Sequence, residues 1–265
     1  LRRKDFSLLR IRPALLALAI ILALTITGCS KKENEGPSAA PEPTAVVDPA
    51  TAGSISGIVT LEGTPPVFRP IDMSAEPACV QANSAPVVPP VVVLGSHDAP
   101  ANVVVYVKSG LDSYRYDTPT EPAVLDQKGC MYVPRVLAFR THQPLQIKNT
   151  DPVTHNVHPM PRDNKPWNRS LPQGVEPFVT NFPNQELAIP VACNIHPWMR
   201  AFLFVFAHPY FDVTTKSGAF DLKNLPPGTY TIEAWHERFG TLDQTVTLGP
   251  KESKSISFKF NSASH

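Results

Sequence analysis

Cys193, His196 and Met199 fall within seven residues, in the string CNIHPWM, and His155 lies 38 positions before Cys193 in NTDPVTHN. One thiolate, two imidazoles and one thioether make up the ligand set of a mononuclear copper site that passes single electrons. Copper(I) prefers soft sulfur and low coordination. Copper(II) prefers nitrogen and a flatter arrangement. Two imidazoles and a thiolate in a plane, with a weak axial thioether, serve both states. Such a site works only if its ligands are held rigidly. The loop carries one cysteine, so one copper is expected rather than a two-copper centre.

The elements around these residues read as β-strands. Glu186–Ile189 is expected to form a strand ending at Pro190, and Ala201–Phe206 a strand leaving the loop. His155 stands at the start of an earlier strand, after the turn at Asn149-Thr150-Asp151-Pro152. Three ligands would then come from one inter-strand loop and the fourth from a neighbouring strand. From Gly53 on, short apolar runs alternate with Pro, Gly and Asn, which is a strand-and-turn pattern. Candidates are Ile55–Leu61, Val103–Lys108, Cys130–Phe139, Leu145–Lys148 and Asn156–His158. Val103–Val107 is nearly all apolar, as a strand buried on both faces would be. The stretches 62–100 and 159–185 are Pro-rich and irregular and are expected to be loops. Useful amphipathic helical runs are missing, so the chain is expected to be all-β, most simply a sandwich.

The first residues read differently. Arg2, Arg3, Lys4, Arg10 and Arg12 precede the apolar run Ala14–Thr27, which is too short to cross a hydrocarbon core of about 30 Å. An export signal over residues 1–29 is expected. Its end, Ile26-Thr27-Gly28-Cys29, resembles a bacterial lipobox, which implies cleavage before Cys29 and a lipid on it. Ser30 after that cysteine resembles outer-membrane sorting, facing the periplasm. Residues 30–52 are rich in Pro, Ala, Glu and Ser and are expected to be a flexible tether. The whole chain has a net charge of +1, and the basic leader accounts for it. The remainder is slightly acidic and has no basic stripe, which argues against nucleic-acid binding. Of four cysteines, Cys29 goes to lipid and Cys193 to metal. An oxidising compartment should pair the other two, Cys79 and Cys130, for roughly 3–4 kcal/mol of stability.

The segment LQIKNTDPVTHNV and the C-x2-H-x2-M spacing of CNIHPWM resemble the cupredoxin family, and the short loop resembles that of its amicyanin members. The likeness runs over roughly residues 100–207. It implies a Greek-key β-sandwich with one type 1 copper, with His155, Cys193 and His196 as strong ligands and Met199 as the axial one. It also implies that Asn156 ties the first ligand strand to the cysteine loop from outside the coordination sphere. Further on, GAFDLKNLPPGTYTIEAWHE alternates well and resembles a carboxypeptidase regulatory-like, prealbumin-like β-sandwich repeat. The expected division is a cupredoxin-like domain over 53–208 and a smaller sandwich unit over 209–262. ISGIVTLEGTPP also resembles the opening strand of such repeats, so a sheet shared between the two units is the alternative. The chain also resembles bacterial exported proteins that combine these motifs, with Arg135 where their pattern often has histidine.

Other residues carry blander readings. His158 faces away from His155 on an alternating strand and reads as a surface histidine. His208 and Trp235-His236-Glu237 read as packing or an interdomain contact. Trp198 reads either as a hydrophobic rim for a redox partner or as a cap on the core. The leading expectation is a lipid-anchored copper protein that shuttles electrons to an unidentified envelope redox protein. The alternatives are copper storage or delivery, and a non-redox carbohydrate- or protein-binding module with a degenerate metal site. Catalysis is not expected, because there is no nucleophile–base arrangement.

Overall fold

The structure, a computed structural model, describes residues 44–263. The expected signal segment, Cys29 and most of the tether lie outside them. The described chain is all-β. It opens with β1 (Gly53–Glu62), then a short helix α1 (Pro77–Gln81) and β2 (Val104–Ser109). Nine strands follow: β3 (Ala123–Lys128), β4 (Met131–Val133), β5 (Val136–Arg140), β6 (Leu145–Asn149), β7 (His155–Pro159), β8 (Arg169–Leu171), β9 (Phe178–Thr180), β10 (Glu186–Ala192) and β11 (Arg200–Phe206). The last five are β12 (Phe211–Val213), β13 (Ala219–Leu225), β14 (Gly228–His236), β15 (Gly240–Leu248) and β16 (Ser253–Asn261). Among the described residues no helix is long and apolar enough to cross a membrane.

Four sheets stack into two sandwiches. The ligand-bearing sandwich pairs a five-stranded sheet, β5-β11-β10-β7-β8, with a four-stranded sheet, β4-β3-β6-β9. Leu125, Ile147, Val157, Ile189, Val191 and Leu203 meet between them. The other sandwich pairs β13-β1-β16 with β12-β2-β14-β15 around Ile55, Val105, Phe220, Tyr230 and Phe258. A third apolar cluster joins the two, with Val104 and Tyr106 of β2 against Val136, Phe204 and Phe206. Strand β2 is therefore buried on both faces: Val103, Val105 and Val107 point one way, Val104 and Tyr106 the other. Period-2 alternation requires this of an apolar run with sheets on both sides.

The sheets do not divide at residue 208. Strands β1 and β2, placed by the sequence reading in the ligand-bearing domain, belong to the other sandwich. Strand β1 lies between β13 and β16 and pairs with both, and β2 lies between β12 and β14. The physical reason is edge satisfaction. Without β1, the strands β13 and β16 would have no partner in their sheet, and Phe220 and Phe258 would lose its cover. The ligand-bearing sandwich, β3–β11, is thus inserted in sequence between two parts of its neighbour.

Three local expectations also change. Strand β10 does not stop at Pro190 but runs to Ala192. Strand β7 pairs with β10 only at Val191 and Ala192, so the missing N–H of Pro190 breaks no ladder bond there. The 159–185 stretch contains β8 and β9, and the 62–100 stretch contains α1. Residues 130–139 form two strands, β4 and β5, rather than one.

Candidate metal centre

His155 begins β7, and Cys193 follows directly on β10. The antiparallel pairing of Ala192 with His158 carries the loop after β10 back alongside Asn156 and His155. The loop is short and tied. Met199 N–H donates to the His196 carbonyl at 2.9 Å, and Cys193 N–H to the Met199 carbonyl at 3.3 Å. Met199 then leads into β11.

This geometry brings together His155, Cys193 and His196, whose ligand atoms lie within 4.8 Å of one another. They are 0%, 3% and 3% exposed, so solvent does not separate them. The two Nδ1 atoms are 2.9 Å apart, and Cys193 Sγ is 3.8 Å from His196 Nδ1. A transition metal sits about 2.0–2.1 Å from an imidazole nitrogen and about 2.3 Å from a thiolate. In a trigonal plane those bond lengths place nitrogen and sulfur about 3.8 Å apart and the two nitrogens about 3.6 Å apart; the sulfur–nitrogen distance matches a small soft-to-borderline cation, and the two imidazole nitrogens, in contact at 2.9 Å, would part by about 0.7 Å to take it. Met199 is fully buried in the same apolar cluster as Cys193.

Asn156 joins the ligand strand to the loop. Its Oδ1 accepts from Asn194 N–H at 2.7 Å and from the Cys193 thiol at 3.3 Å, and its Nδ2 donates to Asn168 Oδ1 at 2.7 Å. The His196 N–H in turn points at Cys193 Sγ, 3.4 Å away. Trp198 is half-buried, donates from Nε1 to the Cys130 carbonyl at 3.0 Å and packs 5.1 Å from the His196 ring centroid. It therefore caps the core. His158 lies outside the ligand group and meets Asn194 Oδ1 at 3.2 Å.

A second cluster brings Cys130, Asp151 and His155 within the same distance. Cys130 is bonded to Cys79, so it offers no thiolate. The cluster instead supports the first ligand. Asp151 Oδ2 is 2.8 Å from His155 Nε2. The same carboxylate accepts from Gly129 N–H at 2.6 Å and from Cys130 N–H at 2.7 Å. A carboxylate behind a ligating imidazole fixes its tautomer, leaving Nδ1 free to bind. Asp151 was not singled out from the sequence. Its four-residue spacing to His155 across the Asp-Pro turn was the available signal.

The electrostatics favour a deprotonated sulfur. Burial pushes the Cys193 thiol up, but the His155 contact and the backbone N–H groups around the sulfur outweigh it, and its pKa falls below the ordinary thiol range. Burial opposes a charge on His155, yet the Asp151 hydrogen bond and the Cys193 sulfur raise its pKa above the ordinary value. Burial and then the neighbouring His155 lower the pKa of His196. These contacts thus shift Cys193 toward the thiolate, His155 toward the cation and His196 toward the neutral imidazole.

Of the other singled-out residues, Trp235 and the Arg135–Glu237 pair lie between the sandwiches, whereas His236 packs into the core of the second one. Trp235 packs 4.8 Å from Phe204 and 5.2 Å from Phe202. Arg135 and Glu237 form a buried ion pair, with Nη2 2.7 Å from Oε2. Arg135 also donates to the Arg200 carbonyl at 3.2 Å, one residue beyond Met199. His236 stacks on Phe239 at 4.6 Å, and burial drives its pKa down to about 4. His208 is likewise pushed down to about 4 by burial and by Arg140.

No family model and no curated protein matches the chain. Among solved structures, a copper-containing nitrite reductase from Thermus scotoductus SA-01 is 16% identical at a TM-score of 0.31. That match covers 57% of this chain and 28% of the reductase, so the chain spans under a third of that protein's length. A purple cupredoxin from Nitrosopumilus maritimus is 21% identical at a TM-score of 0.27, covering 32% of this chain and 99% of the cupredoxin. An amicyanin variant in its reduced Cu(I) form is 17% identical at a TM-score of 0.29, covering 40% and 99%. At these scores the likenesses carry no weight of their own. The reading of the centre rests on its donor atoms.

Proposed function

We propose that this chain is a mononuclear copper protein that passes single electrons at the bacterial cell envelope. One observation carries the proposal: His155 Nδ1, His196 Nδ1 and Cys193 Sγ converge in a buried site with no other role to explain them. Two imidazoles and a thiolate, with Met199 of the same loop as the expected axial thioether, are the donor set that suits copper in both oxidation states. When bound, the copper supplies the one-electron couple. The protein's part is to hold the donors so that little moves on reduction. Asp151 and Asn156 hold His155 and the loop, and the β7–β10–β11 ladder holds both to the core.

Burial of all three donors supports electron transfer over catalysis, because a substrate has no open approach to them. Attachment to a membrane through Cys29, outward of the tether and more consistent with the outer membrane, belongs to the same proposal and rests on the leader sequence. An envelope redox protein would then be the partner.

The mature protein loaded with copper(II) should show an intense thiolate-to-copper visible band and a matching electron paramagnetic resonance signal. Cys193→Ser should remove both. A colourless protein after complete copper loading would overturn the proposal.

A further inference from the structure

The two outward imidazole nitrogens of the centre are treated unequally. His155 Nε2 meets the Asp151 carboxylate at 2.8 Å. His196 Nε2 is buried and has no hydrogen-bond partner. A carboxylate oxygen, Glu76 Oε2, stands 3.8 Å from it, near enough for a charge contact but beyond a hydrogen bond.

Metal binding changes what His196 Nε2 needs. A neutral imidazole that ligates through Nδ1 carries its proton on Nε2. A buried N–H calls for an acceptor. Glu76 is held where that acceptor must be. It immediately precedes α1, and its carbonyl accepts from Cys79 N–H at 2.9 Å and Val80 N–H at 3.2 Å. Cys79 pins α1 to Cys130, and Cys130 N–H donates to Asp151 at 2.7 Å. A single disulfide therefore stands between the two carboxylates that face the two histidines. The Glu76 side chain is 35% exposed, which leaves it room to turn. A movement of under about 1 Å closes the gap to hydrogen-bond length.

We propose that Glu76 is a positioning residue of the metal centre, accepting the Nε2 proton of His196 when Nδ1 is ligated. The segment 63–100, pinned by Cys79–Cys130, thereby completes the site from outside the ligand loop. This inference rests on the copper reading above. By orienting the ring and placing negative charge behind it, Glu76 favours binding of the doubly charged ion, as Asp151 does from the other side.

The test uses the mature protein with its disulfide intact and two variants, Glu76→Ala and Glu76→Gln. In the diamagnetic copper(I) protein, proton–nitrogen correlation spectra should show a slowly exchanging His196 Nε2–H. Glu76→Ala should speed its exchange with water about 10-fold or more and lower copper(II) affinity about 10–100-fold. Glu76→Gln keeps an acceptor oxygen and should keep much of the protection. A role confined to stabilising α1 would leave the Nε2–H resonance unmoved. Exchange and affinity within twofold of wild type in Glu76→Ala overturn the inference. Equal loss of protection in both variants overturns the acceptor role. Absence of the visible band in wild type removes the copper reading and this inference with it. A normal band with an unaltered Glu76→Ala variant removes this inference alone.

Discussion

Replacing Asp151 with Asn isolates the support behind the first ligand. The carboxylate is 4% exposed and accepts three bonds, from Gly129 N–H at 2.6 Å, Cys130 N–H at 2.7 Å and His155 Nε2 at 2.8 Å. An amide has one acceptor oxygen. Placed at Oδ2, it keeps Cys130 and His155 but turns an NH2 group toward the Gly129 N–H. Placed at Oδ1, it abandons the other two donors. Either way at least one buried donor is orphaned and the remaining bonds lose their charge. Hydrogen bonds to charged groups are worth about 1.5–3 kcal/mol each, so Asp151→Asn should cost about 2–4 kcal/mol. For a domain of this size that lowers the melting temperature by roughly 5–15 °C. The pH dependence has a definite sign. Burial raises the Asp151 pKa, but the His155 hydrogen bond and the two backbone N–H groups outweigh it, so the folded value lies below the unfolded one. Its contribution is present above the unfolded carboxylate pKa of about 3.9 and is lost as pH falls through the folded value. Against the cost of burial, the same bond raises the His155 pKa, and that share is full below about pH 6.5 and lost as pH rises through the folded His155 value. The gap between wild type and variant should therefore be widest between about pH 4 and pH 6 and narrow below about pH 4. Calorimetric melts of the metal-free protein across that range measure it. Melting temperatures within about 1 °C of each other at pH 6, or a gap that widens as pH falls below about 4, would refute the reasoning.

Three further outcomes follow from the same structure. Replacing Cys79 and Cys130 together by Ala removes a cross-link spanning 51 residues, and the chain-entropy model puts the loss at about 4 kcal/mol, readable as a lower urea midpoint. Glu237→Leu leaves Arg135 charged and buried between the sandwiches and should cost about 3–5 kcal/mol, whereas Arg135→Met with Glu237→Leu should recover most of it; a double-mutant cycle by urea denaturation decides. Leu203→Ala opens a cavity at a fully buried position of β11 and should cost about 2–5 kcal/mol without removing the copper band.

The inward positions of β13 and β14 were legible because alternation is a local property. Phe220, Leu222, Tyr230 and Ile232 all face one core. The double burial of Val104–Val107 in β2 was legible for the same reason, since four apolar residues in succession leave no solvent face. Which sheet a strand joins was not. For β1 the likeness of ISGIVTLEGTPP to the opening strand of the C-terminal repeats offered the shared sheet as an alternative, but its parallel register on β16 was not legible. The short strands β8 and β9 escaped because three residues carry too little periodicity. Pro190 misled because a proline is seldom found inside a paired strand, and its place where β7 does not pair with β10 is a property of the sheet.

The centre divides along the same line. Residue type and spacing alone determined that this chain carries a thiol, a second imidazole and a thioether in one short loop, with a histidine on an earlier strand. Those features are local chemistry, and the chain's order displays them. Tertiary structure decided that the two Nδ1 atoms and the sulfur converge, that all three are shut away from water, and that Asp151 and Glu76 stand behind the two rings. Glu76 lies 120 positions from His196, and only the Cys79–Cys130 bond and the folded sandwich bring them together. A ligand's identity is covalent and local, whereas its orientation is set by neighbours that only folding supplies.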